Sequence, residues 1–164
     1  MLSISFTVLG TPAPKGSSRA MTRGGQAVNV PSGSNANRLS LVDWGAAVRA
    51  AATSATERWY QQRDLASGTI SPRGVVFGDI PVRLRIEFRM RRPKGHYKKN
   101  GELKPDAERW HANKPDVSKL VRSTEDAMIG TVLLDDSRVS ELLVRKIYSA
   151  PGQEGAWISV EAVS

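Results

Sequence analysis

Residues 114–150 read KPDVSKLVRSTEDAMIGTVLLDDSRVSELLVRKIYSA. Two patterns follow one another here. Val117, Leu120, Val121, Thr124 and Met128 recur at helical spacing and line one face. Gly130 is placed to stop that helix. SRVSELLVRKIYSA (137–150) then reads as a strand, and AWISVEAV (156–163) as another, joined through PGQEG as a hairpin.

Working outward, IPVRLRIEFRM (80–90) is the clearest strand. Val82, Leu84, Ile86, Phe88 and Met90 form one face, and Arg83, Arg85, Glu87 and Arg89 the other. LSISFTV (2–8) alternates in the same way. NRLSLVDWGAAVRAAATSATERWYQQR (37–63) is Ala-rich, with Leu41, Trp44, Val48, Ala51 and Ala55 at helical spacing, so a helix is predicted over about 40–62. Asp43 near its start suits the helix dipole. The fold class that follows is mixed α/β, α+β in character: one domain over 1–164, with a small, mostly antiparallel mixed sheet and two main helices. Flexible loops are expected at about 10–38, 66–79 and 91–113, where Gly, Pro, Ser, Asn and basic residues crowd together.

A length of 164 residues suits one domain with a real core. With no cysteine, disulfides and thiolate metal sites are excluded, and two histidines alone do not make a zinc site. The lack of cysteine suits a reducing cytoplasm. No stretch reaches the roughly 20 apolar residues of a membrane span, and the start does not read as a signal peptide. No phosphate-cradling P-loop, dinucleotide fingerprint or Ser-His-Asp set is present.

The net charge of +8 points to a partner, most commonly a nucleic-acid phosphate backbone. From Arg83 to Lys99 there are eight basic residues and one acid. Arg83, Arg85 and Arg89 share a strand face, and RRPKGHYKK extends the charge into a loop where His96 and Tyr97 could meet bases or sugars. Lys15, Arg19 and Arg23 form a second basic group. The bland alternative is a solvated strand face.

Isolated aspartates on such a surface repel nucleic acid unless a divalent cation stands between them and a phosphate. Magnesium takes oxygen ligands, keeps several waters and needs one or two carboxylates. Asp116 and the Asp135–Asp136 pair are therefore candidates for one metal site. Asp126 lies about 15 Å along the helix from Asp116, too far to share a metal, and four residues from Arg122, its expected partner. In an extended chain Asp135 and Asp136 point to opposite sides, so one of them faces the metal. The ordinary roles of these residues are a helix N-cap for Asp116 and a turn at Asp135-Asp136-Ser137.

KPDVSKLVR, EDAM, LLDDSRV and VRKIY, in that order, resemble the core pattern of the RusA-type Holliday junction resolvases: Lys-Pro-Asp-x-Asp-Asn-x-x-Lys, then Asp-Ala-Leu, then Asp-Asp-x-x-Val, then a strand bearing a lysine. FTVLGTPAPKGSSR is similar to the family's amino-terminal strand and its Gly-x-Pro-x-Pro-Lys-Gly. The likeness covers both ends of the chain and is weak over 35–73. It implies a phage-type endonuclease acting in the bacterial cytoplasm. This would be a homodimer on four-way or branched DNA, dependent on Mg2+ with Mn2+ as a substitute, nicking two opposed strands. By the same resemblance Asp116 is the first carboxylate, Asp136 the likeliest third with Asp135 its neighbour, and Arg122 stands at a functional lysine. Lys146 and Lys15 match two further basic positions. Catalytic roles fall to Asp116, Asp136 and Arg122, and metal binding to Asp116, Asp136 and Asp135. DNA contact falls to Lys15, Arg19, Arg83, Arg85, Arg89, Lys119 and Lys146.

Two positions depart from the pattern. Ser118 replaces the middle carboxylate and Lys119 the following Asn. Arg122 keeps the lysine's charge but cannot act as a base. The site then works with fewer ligands, borrows an acid such as Glu87 or Asp106, or binds junctions and cuts poorly. A non-catalytic branched-DNA binder and a basic structural or RNA-binding protein stand as the alternative readings.

Overall fold

The computed structural model describes residues 2–16, 18–23, 26–31 and 35–163, leaving the side chains of 18–23, 27–31 and 35 outside the description. In chain order the elements are β1 (Ser3–Leu9), β2 (Ser18–Arg23), β3 (Gln26–Pro31), α1 (Asn35–Ser67), β4 (Val82–Arg91), α2 (Val117–Met128), β5 (Val139–Ser149) and β6 (Gly155–Ala162). Short 3-10 turns stand at Lys94–His96 and Asp136–Arg138. β1, β6, β4 and β5 form a mixed sheet in that order. Only the β4–β5 pair is parallel. Two helices and this open four-stranded sheet make an α+β fold, as the sequence implies.

Period-two alternation builds the core. Ile4, Phe6 and Val8 of β1, Leu84, Ile86, Phe88 and Met90 of β4, and Ile158 and Val160 of β6 share one buried sheet face. Onto it α1 lays Trp44, Val48, Ala52 and Ala55, and α2 lays Leu120, Val121, Ala127 and Met128. The Trp44 indole N–H donates to Thr124 Oγ1 at 3.1 Å, tying the helices together inside the core. Gly155 allows β6 to cross the end of β1: a Cβ there would stand 1.9 Å from the Val8 carbonyl oxygen.

Four expectations are corrected. Residues 10–38 are not one loop: β2 and β3 pair antiparallel as a hairpin and α1 begins at Asn35. α1 runs to Ser67, past the predicted end. Val117 is exposed at 40% and lies off the buried face of α2. PGQEG does not join a hairpin, because β4 stands between β5 and β6. The burial explains that order. β6 is covered along Gly155, Ala156 and Ile158 to Val160, as an inner strand must be. β5 exposes Glu141, Leu142 and Leu143, which only an edge position permits.

Candidate nuclease site

The KPD turn enters α2 over the far end of β5. Asp116 occupies the N-cap position, but its side chain makes no cap hydrogen bond. Its carboxylate instead meets Lys119 Nζ at 3.4 Å, with both side chains about half exposed. The Lys114–Pro115 peptide is cis. Beneath the turn, Lys146 Nζ donates to the carbonyl oxygens of Asn113 and Pro115, at 2.6 Å each. Lys146 is on β5 opposite Phe88, so it rises from the helix-bearing face of the sheet.

These groups wall a groove of about 710 Å³ between α2, β5 and the 110–114 segment. Trp110, His111, Asp116, Ser118, Arg145 and Lys146 line it. Burial lowers the Lys146 pKa, and the nearby Asp116 charge pulls the other way. Burial, then Lys146, likewise lowers the His111 pKa. His111 Nδ1 is buried with no hydrogen-bond partner among the described residues, and its ring packs against Tyr148 at 4.7 Å. One carboxylate thus stands in a groove that Lys114, Arg145 and Lys146 also line, with Lys119 beside it.

The Asp135–Asp136 pair lies elsewhere. Asp135 caps the turn that follows it, accepting from Ser137 N–H at 2.9 Å, and its carboxyl is held low by that residue's hydrogen bonds. Asp136 follows the far end of α2 in the chain and lies near enough to Glu125 for its charge to act there. The Glu125 pKa is raised by burial first, then by Asp136 and Asp126. Asp116 and Glu125 are nine residues apart, about 13 Å along the helix axis. β5 runs back over the same interval from Val139, near Asp136, to Lys146, beneath Asp116, about 23 Å of strand. One chain therefore does not bring Asp116 and Asp136 together, and no group of three potential metal ligands occurs among the described residues.

Asp126 does not take Arg122 as its partner: it forms an ion pair with Lys15. The Lys15 amide also donates to the Lys119 carbonyl at 3.0 Å, and Ser123 Oγ donates to Ala13 O at 2.7 Å. The amino-terminal segment is thereby strapped along α2. Arg19 lies in β2, with its side chain outside the described residues.

Arg83, Arg85 and Arg89 lie on the sheet face turned away from the helices, and each has an acidic partner. Arg83 meets Glu141 at 2.5 Å and Glu161 at 3.6 Å, Arg85 meets Glu161 at 3.2 Å, and Arg89 meets Glu87 at 2.9 Å. Arg145 also pairs with Glu87. Burial pushes the Glu87 carboxyl up, but the hydrogen bonds from Arg89 and Arg145 outweigh it and hold the pKa low. The face is a mixed-charge lattice rather than an open basic stripe. Glu87 is committed there and does not stand in for the carboxylate missing at Ser118.

Two residues of this region escaped the sequence reading. Glu125 shares a helical face with Ser118 and Arg122, at seven and three residues' distance, and that spacing was a usable signal. Trp110 is 56% exposed at the groove's lip. It has no periodic neighbour to mark it and is placed by an isolated bridge to Ile147.

The family model for endodeoxyribonuclease RusA matches residues 10–160. The chain belongs to the RusA endodeoxyribonuclease family. Comparison with curated proteins returns no match. No helix among the described residues is long and apolar enough to cross a membrane.

Proposed function

We propose that the chain is a structure-selective endonuclease that resolves four-way junctions and other branched DNA by paired nicks, working as a symmetric dimer with magnesium, or manganese in its place. The observation that carries this reading is Asp116. Its carboxylate is free of the capping bond its position would ordinarily demand, and it is held in a cationic groove on a turn braced by Lys146. A single carboxylate fits a cation that keeps most of its water shell. When bound, such an ion supplies phosphoryl polarisation and an activated water.

This chain's own residues do the rest. Lys119 and Lys146 attract and orient the scissile phosphate, Arg122 adds a fixed positive charge on the same helix, and Lys15 ties the amino-terminal segment beside them. With Asp136 at the opposite end of α2, its role as a ligand requires a second chain, and two-fold pairing meets that need while matching a two-fold junction.

Ser118 favours a second reading, a branched-DNA binder that cuts weakly. Cleavage of a synthetic four-way junction with magnesium, with manganese and with chelator separates the two. Paired, metal-dependent nicks absent from linear duplex are expected. Tight junction binding with no metal-stimulated nicking would sink the nuclease reading.

A further inference from the structure

β5 is an outer strand of the sheet, and its free side is bounded at both ends. At one end His111 N–H donates to Lys146 O at 3.1 Å and Tyr148 N–H to Arg109 O at 2.9 Å. At the other end the register with β4 slips between Val82 and Arg83, leaving Ser140 as an extra residue where the strand bends. The straight, unclosed edge is Glu141 to Arg145, five residues centred on Leu143. Since Lys146 and Tyr148 turn their backbone groups outward, alternation turns those of Val144 and Leu142 outward as well. Among the described residues no backbone group meets them on that side. Leu142 and Leu143 are half exposed, at 50% and 52%. An apolar unpaired edge is one that soluble proteins cover or blunt.

The segment is complementary to itself. Laid antiparallel on a copy about Leu143, it sets Glu141 opposite Arg145, Leu142 opposite Val144 and Leu143 opposite Leu143. The Leu142–Val144 pairs each exchange two backbone hydrogen bonds, and the central Leu143 pair is of the closer, non-bonded kind. On the open face the charges then alternate across the seam: Arg83, Glu141, the second copy's Arg145, the second copy's Glu87. Both flanking ion pairs already exist within each chain.

We propose that the Glu141–Arg145 edge is the docking surface for a second copy of this chain, joined by antiparallel pairing about Leu143. The proposal rests on the dimer reading above and deepens it by naming the interface. Such pairing reverses one β5 against the other, so the second copy's Asp136 end lies toward the first chain's Asp116 end.

The absence of cysteine makes a clean test. In a non-hydrogen-bonded antiparallel pair the Cα atoms are about 4.5 Å apart, inside the disulfide range. Leu143→Cys should therefore cross-link under mild oxidation into a covalent dimer at least about ten-fold faster than Leu65→Cys, another exposed leucine. Leu142→Pro removes an outward N–H from each strand and should sediment as a monomer while keeping its circular dichroism. If the unmodified chain sediments as a dimer but Leu143→Cys links no faster than Leu65→Cys, this interface is overturned and the dimer survives. If the chain is monomeric at tens of micromolar with and without a four-way junction, both fall. A Leu142→Pro chain that folds and stays dimeric also overturns the interface. Should that variant not fold, the cysteine comparison decides alone. None of these outcomes depends on cleavage, so the nuclease reading is tested separately.

Discussion

Lys146 braces the turn that carries Asp116: its ammonium donates to the Pro115 carbonyl, one residue earlier, at 2.6 Å. A charged side chain from β5 thus sets where the first residue before α2 points. Lys146→Met removes this bond and its twin to Asn113. Charged hydrogen bonds contribute roughly 1.5–3 kcal/mol net, but relief of the ammonium's desolvation offsets part, so the loss in stability should stay below about 2 kcal/mol. Misplacing a reacting group by an ångström costs on the order of 100-fold in rate. Junction cleavage should fall by about that factor, mainly in kcat. Unchanged cleavage would show that the brace is not needed.

Asp116→Ala separates a capping role from a functional one. A working N-cap lost to a poorer residue costs about 1 kcal/mol. Asp116 makes no cap bond, so the unfolding free energy from urea denaturation should change by less than about 0.5 kcal/mol. Nicking should drop by about 100-fold or more, because the carboxylate proposed to hold the cation that stabilises transition-state charge is gone. Junction binding should persist, since removing the acid takes away a repulsive charge.

Glu125 and His111 shape the pH dependence in opposite directions. The folded pKa of Glu125 is raised above 4.5. Between those values the unfolded chain has lost a proton that the folded chain keeps, so stability declines as pH rises. Glu125→Gln should therefore be more stable than the parent at pH 7 and closest to it near pH 4. His111 is lowered below 6.5, so the unfolded chain takes the proton first and stability is lost as pH falls through 6.5. His111→Asn should remove that acid-side loss. Denaturation midpoints from pH 4 to 8 read both effects.

Thr124→Val tests the bond between the helices. The change nearly conserves volume but strands the buried Trp44 indole N–H, whose partner is Thr124 Oγ1. An unsatisfied buried donor costs about 1–3 kcal/mol. In a Trp44→Phe background, where no indole N–H can be stranded, Thr124→Val should cost less than it does in the parent. A single variant as stable as the parent would mean that the indole finds another acceptor.

β1 and β4 were legible because alternation is written residue by residue and both strands bury one face. The buried face of α2 was legible from its helical spacing, apart from Val117, which lines the open groove in the first turn. The hairpin assigned to PGQEG failed because nearness in sequence does not say which strand inserts between two others. That choice depends on which strand can be covered on both sides, and β6, with Ala156, Ile158 and Val160, buries more completely than β5. The pairings of Arg83 with Glu141 and Arg85 with Glu161 were likewise invisible, since 58 and 76 residues separate the partners.

Local pattern and motif order determined the α+β class, the basic character and the KPD turn with Asp116 at the mouth of α2, because each depends on residues within a few positions of one another. Register and strand order decided the rest. They put Lys146 under the turn and turned the arginine row into ion pairs. They also moved Asp136 to the far end of α2, since α2 and β5 run in opposite directions and carry the two acids apart. That separation, and the free edge of β5 beside it, is a property of packed strands that no single stretch of sequence contains.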